Sequence, residues 1–366
     1  MREQVSRHIS RAAPIAILGF GREGQSLLRF IEKNPTYHGR EIWILDKDAL
    51  VKDQLDTHRS KNIHWQVGSG YLKSLSRFAL ILRSPGVPYT LPQLYRARCD
   101  GTMVSSATNL FFKEIQKTKS KHPTIIGVTG TKGKGTTSTL IYQILRKANK
   151  KAVLAGNIGK PVLDILSEAK RAEFVVLELS SFQLQDFPYA PDIAVVLDIF
   201  PDHLDQHHSL REYYGSKANI GRFQKKSDAI FYFSKNPLSK NIAAKSSAQK
   251  FPVTPQSEGL KKNYDMARAV ARFIQIPDSV IEKTIASFRG LEHRLEFVKT
   301  VSEISFYNDS AATNPEAVAA AIRTIQTPLV LIAGGKDKKL NYRPLADAIR
   351  ESSHIQAVIL IGENRK

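Results

Sequence analysis

Thr124-Ile125-Ile126-Gly127-Val128-Thr129-Gly130-Thr131-Lys132-Gly133-Lys134-Gly135-Thr136-Thr137 reads as a short apolar strand that runs into a loop of glycine and lysine and out into a helix. An apolar, β-branched run of this length suits a strand buried on both faces, as in a parallel sheet. Glycines let the loop turn tightly, so that the amides of residues 130–137 can cradle phosphates. Lys134 can neutralise the β/γ oxygens of a nucleotide, and a hydroxyl from Thr136 or Thr137 can hold Mg²⁺. The strict P-loop spacing is not met: Val128 stands five before Gly133, and Gly135 follows the lysine where a hydroxyl usually stands.

Upstream, Ile15-Ala16-Ile17-Leu18 reads as a buried strand, and Gly19-Phe20-Gly21-Arg22-Glu23-Gly24 follows it before a helix predicted over residues 25–33. A second strand over residues 41–45 ends beside Asp46, closing a βαβ unit. Here too, glycines allow close backbone approach and helix N-terminal amides can receive a diphosphate. The loop fits a dinucleotide, a nucleotide-sugar diphosphate or a purely structural turn. Strand-like runs at residues 78–82 and 102–105 continue the pattern to a basic linker, where a first domain, residues 1–121, is expected to end.

Downstream of Thr137, strands are predicted at residues 152–154, 174–179 and 193–197, and residues 234–262 read as polar surface elements and loops. Helical periodicity returns at residues 264–273 and 278–288, so a central P-loop domain with a mostly parallel sheet is expected over residues 122–298. Residues 299–366 alternate strand (303–307), helix (315–325), strand (329–333), helix (343–352) and strand (355–361). They read as a βαβαβ half of a Rossmann-like domain that stops without its covering helix, and therefore as incomplete. The fold class is α/β with three domains.

A chain of 366 residues with 42% hydrophobic and 24% charged residues is an ordinary globular protein, which excludes a peptide hormone or wholesale disorder. Its one cysteine, Cys99, cannot form an intrachain disulfide, as fits a reducing compartment. Fifty-four Lys and Arg against 34 Asp and Glu give a formal charge of +20, but the charge is dispersed, and no nucleic-acid partner is expected. No secretory signal and no apolar run of spanning length is present, so a cytoplasmic protein without membrane insertion is expected.

The phrase Gly130-Thr131-Lys132-Gly133-Lys134 resembles the nucleotide loop of the Mur ligase and folylpolyglutamate synthetase superfamily. Further phrases resemble Mur ligases in order along nearly the whole chain: Gly156-Asn157-Ile158-Gly159, Glu178-Leu179-Ser180-Ser181-Phe182-Gln183-Leu184, Asp202-His203-Leu204-Asp205, Lys217 in a Tyr-x-x-x-Lys setting, His293-Arg294, Asn308-Asp309-Ser310 and Gly334-Gly335-Lys336-Asp337-Lys338. The resemblance implies an ATP-dependent ligase of peptidoglycan precursor synthesis that adds D-glutamate to UDP-N-acetylmuramoyl-L-alanine through an acyl phosphate. It implies two Mg²⁺ ions held by Thr136, Glu178, His203 and Lys217, the last as a carbamate formed with CO₂. It further implies catalytic roles for Lys134, Arg294 and Lys338, ATP contacts at Arg294 and Asp309, and substrate contacts at Asn157, Ser180 and Gln183. The Gly19 loop (Gly19, Phe20, Gly21, Arg22, Glu23, Gly24) and Asp46 would then hold UDP. A monomer with small-molecule substrates is expected.

Some positions depart from the family pattern. Ala311 stands where a lysine is usual, and Lys262 and Met266 replace the His and second Asn of a His-Asn-x-x-Asn phrase. The chain also ends at Lys366, before elements that contact D-glutamate in the family. The competing readings are a degenerate or truncated protein that binds nucleotide or UDP-sugar without full ligase activity, and another ligase of the Mur or folylpolyglutamate type.

Overall fold

A computed structural model describes residues 13–54, 62–118, 122–202, 207–257, 261–312, 314–335 and 340–365. The chain divides into two compact units, Met1–Ala286 and Ser287–Lys366. The first unit opens with β1 (Ile15–Leu18), α1 (Arg22–Lys33), β2 (Ile42–Asp46), β3 (Ile63–Val67), β4 (Leu80–Arg83), α2 (Pro92–Cys99), β5 (Met103–Ser106) and α3 (Ala107–Gln116). The strands form one parallel sheet in the order β3-β2-β1-β4-β5. Strand order reverses between β1 and β4, and such a switch point leaves a crevice at the carboxyl ends of the strands. The Gly19 loop leaves β1 at that point.

The same unit continues with β6 (Thr124–Thr129), α4 (Lys134–Lys147), β7 (Ala152–Gly156), α5 (Leu166–Ala169), β8 (Phe174–Glu178), α6 (Ser181–Leu184) and β9 (Ile193–Val196). It closes with α7 (Leu210–Arg222), β10 (Ala229–Phe233), α8 (Pro237–Ala244), β11 (Gln249–Val253), α9 (Lys262–Phe273) and α10 (Asp278–Ser287). All six strands are parallel, in the order β11-β10-β9-β6-β8-β7. The central strands are buried at every residue of β9 and nearly every residue of β6 and β8, which is why their sequences are continuous apolar runs.

One hydrophobic core joins the two sheets. Phe112 of α3 packs edge-on against Phe187, with ring centroids 4.8 Å apart, and stacks on Tyr189. An ion pair between Arg83 and Asp186 spans the junction at 2.9 Å, with both side chains almost wholly buried.

The second unit contains β12 (Glu296–Val301), β13 (Ile304–Asn308), α11 (Pro315–Thr324), β14 (Leu329–Gly335), α12 (Arg343–Glu351) and β15 (Ile355–Gly362). The strand expected near residues 303–307 does not open a parallel βαβαβ half. It pairs antiparallel with β12, a strand the sequence reading lacked. Ser302 and Glu303 both take positive φ, the signature of a two-residue turn whose twist suits a hairpin. β14 and β15 pair parallel on their own, with α11 and α12 packed through Ala319, Ile322 and Ala348.

Candidate active site

The carboxyl ends of β6, β7 and β8 bring together residues far apart in sequence. Gly133 holds φ at +84°, and a Cβ there would meet Asn263 Oδ1 at 2.4 Å, so the loop closes tightly against α9. Lys134 begins α4, whose first-turn amides have no partner inside the helix and so face the loop as donors. Thr131 is committed to structure: its N–H donates to Asp198 O at 2.8 Å, and its hydroxyl accepts from the Phe200 N–H and pairs with Tyr213 Oη. Lys132 is exposed, Gly135 and Thr137 are buried, and Thr136 is half-buried on the first turn of α4.

Two lysines meet on one carbonyl. Gly130 O accepts from Lys134 Nζ at 3.1 Å and from Lys217 Nζ at 2.8 Å. Lys217, on α7, is 1% exposed and lies over the Tyr213 ring. Burial, reinforced by the Lys134 charge, pushes its pKa well below the ordinary lysine range, while Asp202 and Glu178 pull the other way. A lowered pKa favours the neutral amine, the only form of a lysine that can act as a nucleophile.

Glu178 ends β8 beside the loop. It is 5% exposed, and its Oε1 accepts from Asn157 Nδ2 at 3.0 Å. Asn157 itself follows β7 and is exposed, held by its N–H to Glu178 O. Among the described residues no three His, Cys, Asp or Glu side chains gather as a metal cluster. His203 and Lys338 lie outside the described residues. The buried Glu178 carboxylate and the Thr136 hydroxyl beside a phosphate-type loop are oxygen donors of the kind that suits a hard divalent cation.

The second cluster is a cavity of about 910 Å³ at the switch point of the first sheet, lined by the Gly19 loop, Asp46, residues 84–88, Asn157 and His207. Asp46 braces the loop from the cavity wall: Oδ2 accepts the Phe20 N–H at 2.6 Å and Oδ1 accepts the Asp48 N–H. Gly19 keeps φ at +89°, and Ser84 Oγ donates to its carbonyl at 2.7 Å. Phe20 is buried, Gly21 is exposed, Gly24 is packed under the loop, and Arg22 reaches out to donate to Gly159 O at 2.6 Å. Glu23 accepts from Gln183 Nε2 at 2.9 Å, and burial pushes its carboxyl up to about 7.

Ser180 and Gln183 form a reciprocal capping box at the start of α6. Gln183 is 1% exposed, and its amide is divided between Ser180 and Glu23. Sequence reasoning did not find His207, which is buried and bridges Ser181 Oγ at 3.1 Å and Glu212 Oε1 at 3.3 Å while stacking on Phe182. Nor did it find Arg83, although an arginine inside an apolar strand was a usable signal, because a buried guanidinium must find several acceptors.

In the second unit, two phrases 15 residues apart come together. Leu295 N–H donates to Asp309 Oδ1 at 2.9 Å, and Asn308 Nδ2 contacts His293 Nδ1 at 2.8 Å. Ala311 N–H closes the turn on His293 O. Arg294 is exposed beside this turn.

Two family models match: the Mur ligase middle domain over residues 128–311, and the Mur ligase glutamate ligase domain over residues 293–366. The chain belongs to the Mur ligase family. Curated relatives of this Mur ligase include the UDP-N-acetylmuramoylalanine--D-glutamate ligase of Acetivibrio thermocellus, 33% identical over 95% of this chain and 80% of the relative. The protein of the same name from Clostridium tetani is 30% identical over 96% and 81%. Solved structures of the same fold include the UDP-N-acetylmuramate-alanine ligase of Thermotoga maritima, with TM-score 0.53 and 15% identity over 96% of this chain and 90% of that one. MurF from Acinetobacter baumannii matches with TM-score 0.53 and 15% identity over 95% and 83%. As a family member, this Mur ligase uses ATP and Mg²⁺. Among the described residues no helix is long and apolar enough to cross a membrane.

Proposed function

We propose that this Mur ligase joins D-glutamate to UDP-N-acetylmuramoyl-L-alanine in the synthesis of a peptidoglycan precursor. The observation that carries the reading is the meeting of Lys134 and Lys217 on Gly130 O, with the buried Glu178 beside them. Both the relatives named above carry that activity in their names. The chain is organised for it as three domains, residues 1–121 for the nucleotide sugar, 122–298 for ATP and 299–366 as a Rossmann-like end. The two sheets of the first unit support the first division.

In this reading the diphosphate of the nucleotide sugar sits in the switch-point cavity against the Gly19 loop. The muramoyl-alanine carboxylate then points past Asn157 and the Ser180–Gln183 turn toward Gly130. ATP lies along residues 132–137, where the amides and Lys134 face its phosphates. Thr131 takes no part through its side chain, and Met266, fully buried, packs inside rather than facing adenine. Lys262 is instead ion-paired with Asp198.

A substrate carboxylate oxygen attacks the γ-phosphorus, and ADP leaves with the electrons of the broken P–O bond. The amine of D-glutamate then attacks the carbonyl carbon of the acyl phosphate, loses a proton, and expels phosphate. Two anions must approach, so fixed positive charge lowers the barrier. Two Mg²⁺ ions would supply most of it, and Thr136, Glu178, His203 and Lys217 would hold them. Lys217 would serve as a carbamate: its neutral amine adds to CO₂, and the proton released leaves an anionic oxygen ligand where a lysine stood. Arg294 and Asp309 are assigned to ATP, and Lys338 to the transition state. The protein acts in the cytoplasm as a monomer.

Phosphate release from ATP, measured with both substrates and with each omitted, tests the reading. Release that depends on D-glutamate, with a product of amide mass, is expected. Binding of ATP and nucleotide sugar with no turnover would replace the ligase by a nucleotide-binding protein.

A further inference from the structure

Arg83 is among the largest fully buried side chains of the described residues, and it ends β4 one residue before Ser84 in the wall of the switch-point cavity. One arm of its guanidinium faces the cavity wall: Nη1 donates to Val87 O at 2.6 Å. The other faces the P-loop sheet: Nη2 donates to Phe182 O on α6 and to Asp186 Oδ1, both at 2.9 Å. From there the contacts close a circuit. Ser84 Oγ ties the wall to Gly19 O, and Gln183 ties α6 back to the same loop through Glu23.

We propose that Arg83 is a positioning residue that locks the wall of the nucleotide-sugar cavity to the helix following Glu178, and so sets where the substrate carboxylate comes to rest. The inference rests on the ligase reading above. A planar fork with fixed donor directions can hold two backbone segments at a defined separation, which a flexible ammonium cannot. Stability alone is a poor reason for the group. Arg83 Nε and Asp186 Oδ2 are both buried without a hydrogen-bond partner among the described residues. Apolar side chains commonly replace a buried pair of this kind without loss. What an apolar pair could not do is grip Val87 O and Phe182 O together. Misplacement of a reacting group by about 1 Å can cost on the order of a hundredfold in rate.

The test uses the full 366-residue chain. Affinities for UDP-N-acetylmuramoyl-L-alanine and for ATP with Mg²⁺ are measured by calorimetry, together with kcat, for Arg83→Lys, Ser84→Ala and Arg29→Ala. Arg83→Lys is expected to weaken nucleotide-sugar binding about tenfold and to lower kcat by at least as much, with ATP affinity changed less than about twofold. Ser84→Ala, which cuts the circuit without disturbing a buried charge, should show the same split at about threefold. Arg29→Ala removes a partly exposed pair that joins α1 to the segment before α5, outside the Arg83 circuit, and should change neither ligand. The proposal is overturned if Arg83→Lys behaves as the unmodified chain, or if it loses ATP and nucleotide sugar equally, as general loosening would produce. Should Arg83→Lys fail to fold, the absence of a split in Ser84→Ala overturns it. An unmodified chain that does not bind the nucleotide sugar overturns the proposed function and this inference together. Normal binding in the unmodified chain, in Arg83→Lys and in Ser84→Ala overturns this inference alone.

Discussion

The molecule builds the same local device twice, with different side chains around it. The loops at Gly19 and at Gly130 each leave a buried parallel strand and enter a helix. Around the first stand carboxylates, with Asp46 holding the loop's own amide and Glu23 buried beneath it. Beside the second stand Lys134, the cation that faces the phosphates, and the buried Lys217 and Glu178, which would hold metal ions. A strand, a glycine turn and a helix N-terminus suffice to receive a phosphate. The side chains nearby decide whether that phosphate is merely held or is transferred, because transfer needs positive charge where negative charge accumulates.

The contrast breaks most visibly at the second loop. Lys134→Ala should lower kcat by about a thousandfold while leaving the affinity for the nucleotide sugar unchanged, as steady-state and binding measurements would show. An equal loss of nucleotide-sugar binding would mean that the two loops do not divide the work. Lys217→Ala should cost about a hundredfold, with partial recovery on adding short carboxylic acids that replace the lost oxygen ligand. Full activity without such acids would remove the carbamate.

The first loop should respond in stability more than in rate. Glu23 has its folded value raised to about 7 from an ordinary 4.5, so its contribution is present in full below about pH 4.5 and is lost as pH rises through 7. Glu23→Gln keeps the acceptor for Gln183 and cannot ionise. It should be more stable than the unmodified chain by on the order of 2 kcal/mol at pH 8, with the difference vanishing near pH 4.5, in denaturant titrations at the two pH values. The smallest effect is expected from Asp46→Asn. It weakens the grip on the Phe20 N–H and should loosen the nucleotide sugar by about threefold with no change for ATP.

Much of the architecture was legible because buried parallel strands leave a plain mark. β1, β6, β8 and β9 read as continuous apolar runs, and both glycine loops stood where the structure has them. Among the strands that went unread, β10 is internal and carries the same apolar mark, whereas two others lie where that mark is weak. β3 and β11 are sheet edges: β3 is half-buried at every residue, and β11 carries exposed Gln249, Lys250 and Pro252. Edges tolerate charge and proline because one row of their backbone groups faces outward. β13 was legible as a strand but not in its pairing, since the hairpin turn at Ser302 and Glu303 has none of the usual Asn-Gly lettering.

The sequence by itself determined the α/β class, the two phosphate-type loops and the ordered set of family phrases, because these depend on local geometry and on residues close together in the chain. Tertiary structure alone decided which of those residues meet. It buried Lys217 against Gly130 and so lowered its pKa, turned Asp46 to hold a loop, and set Arg83 between two sheets. Each of these outcomes depends on burial and on partners up to about a hundred residues away. An ionisable group's state is fixed by its surroundings, not by its identity.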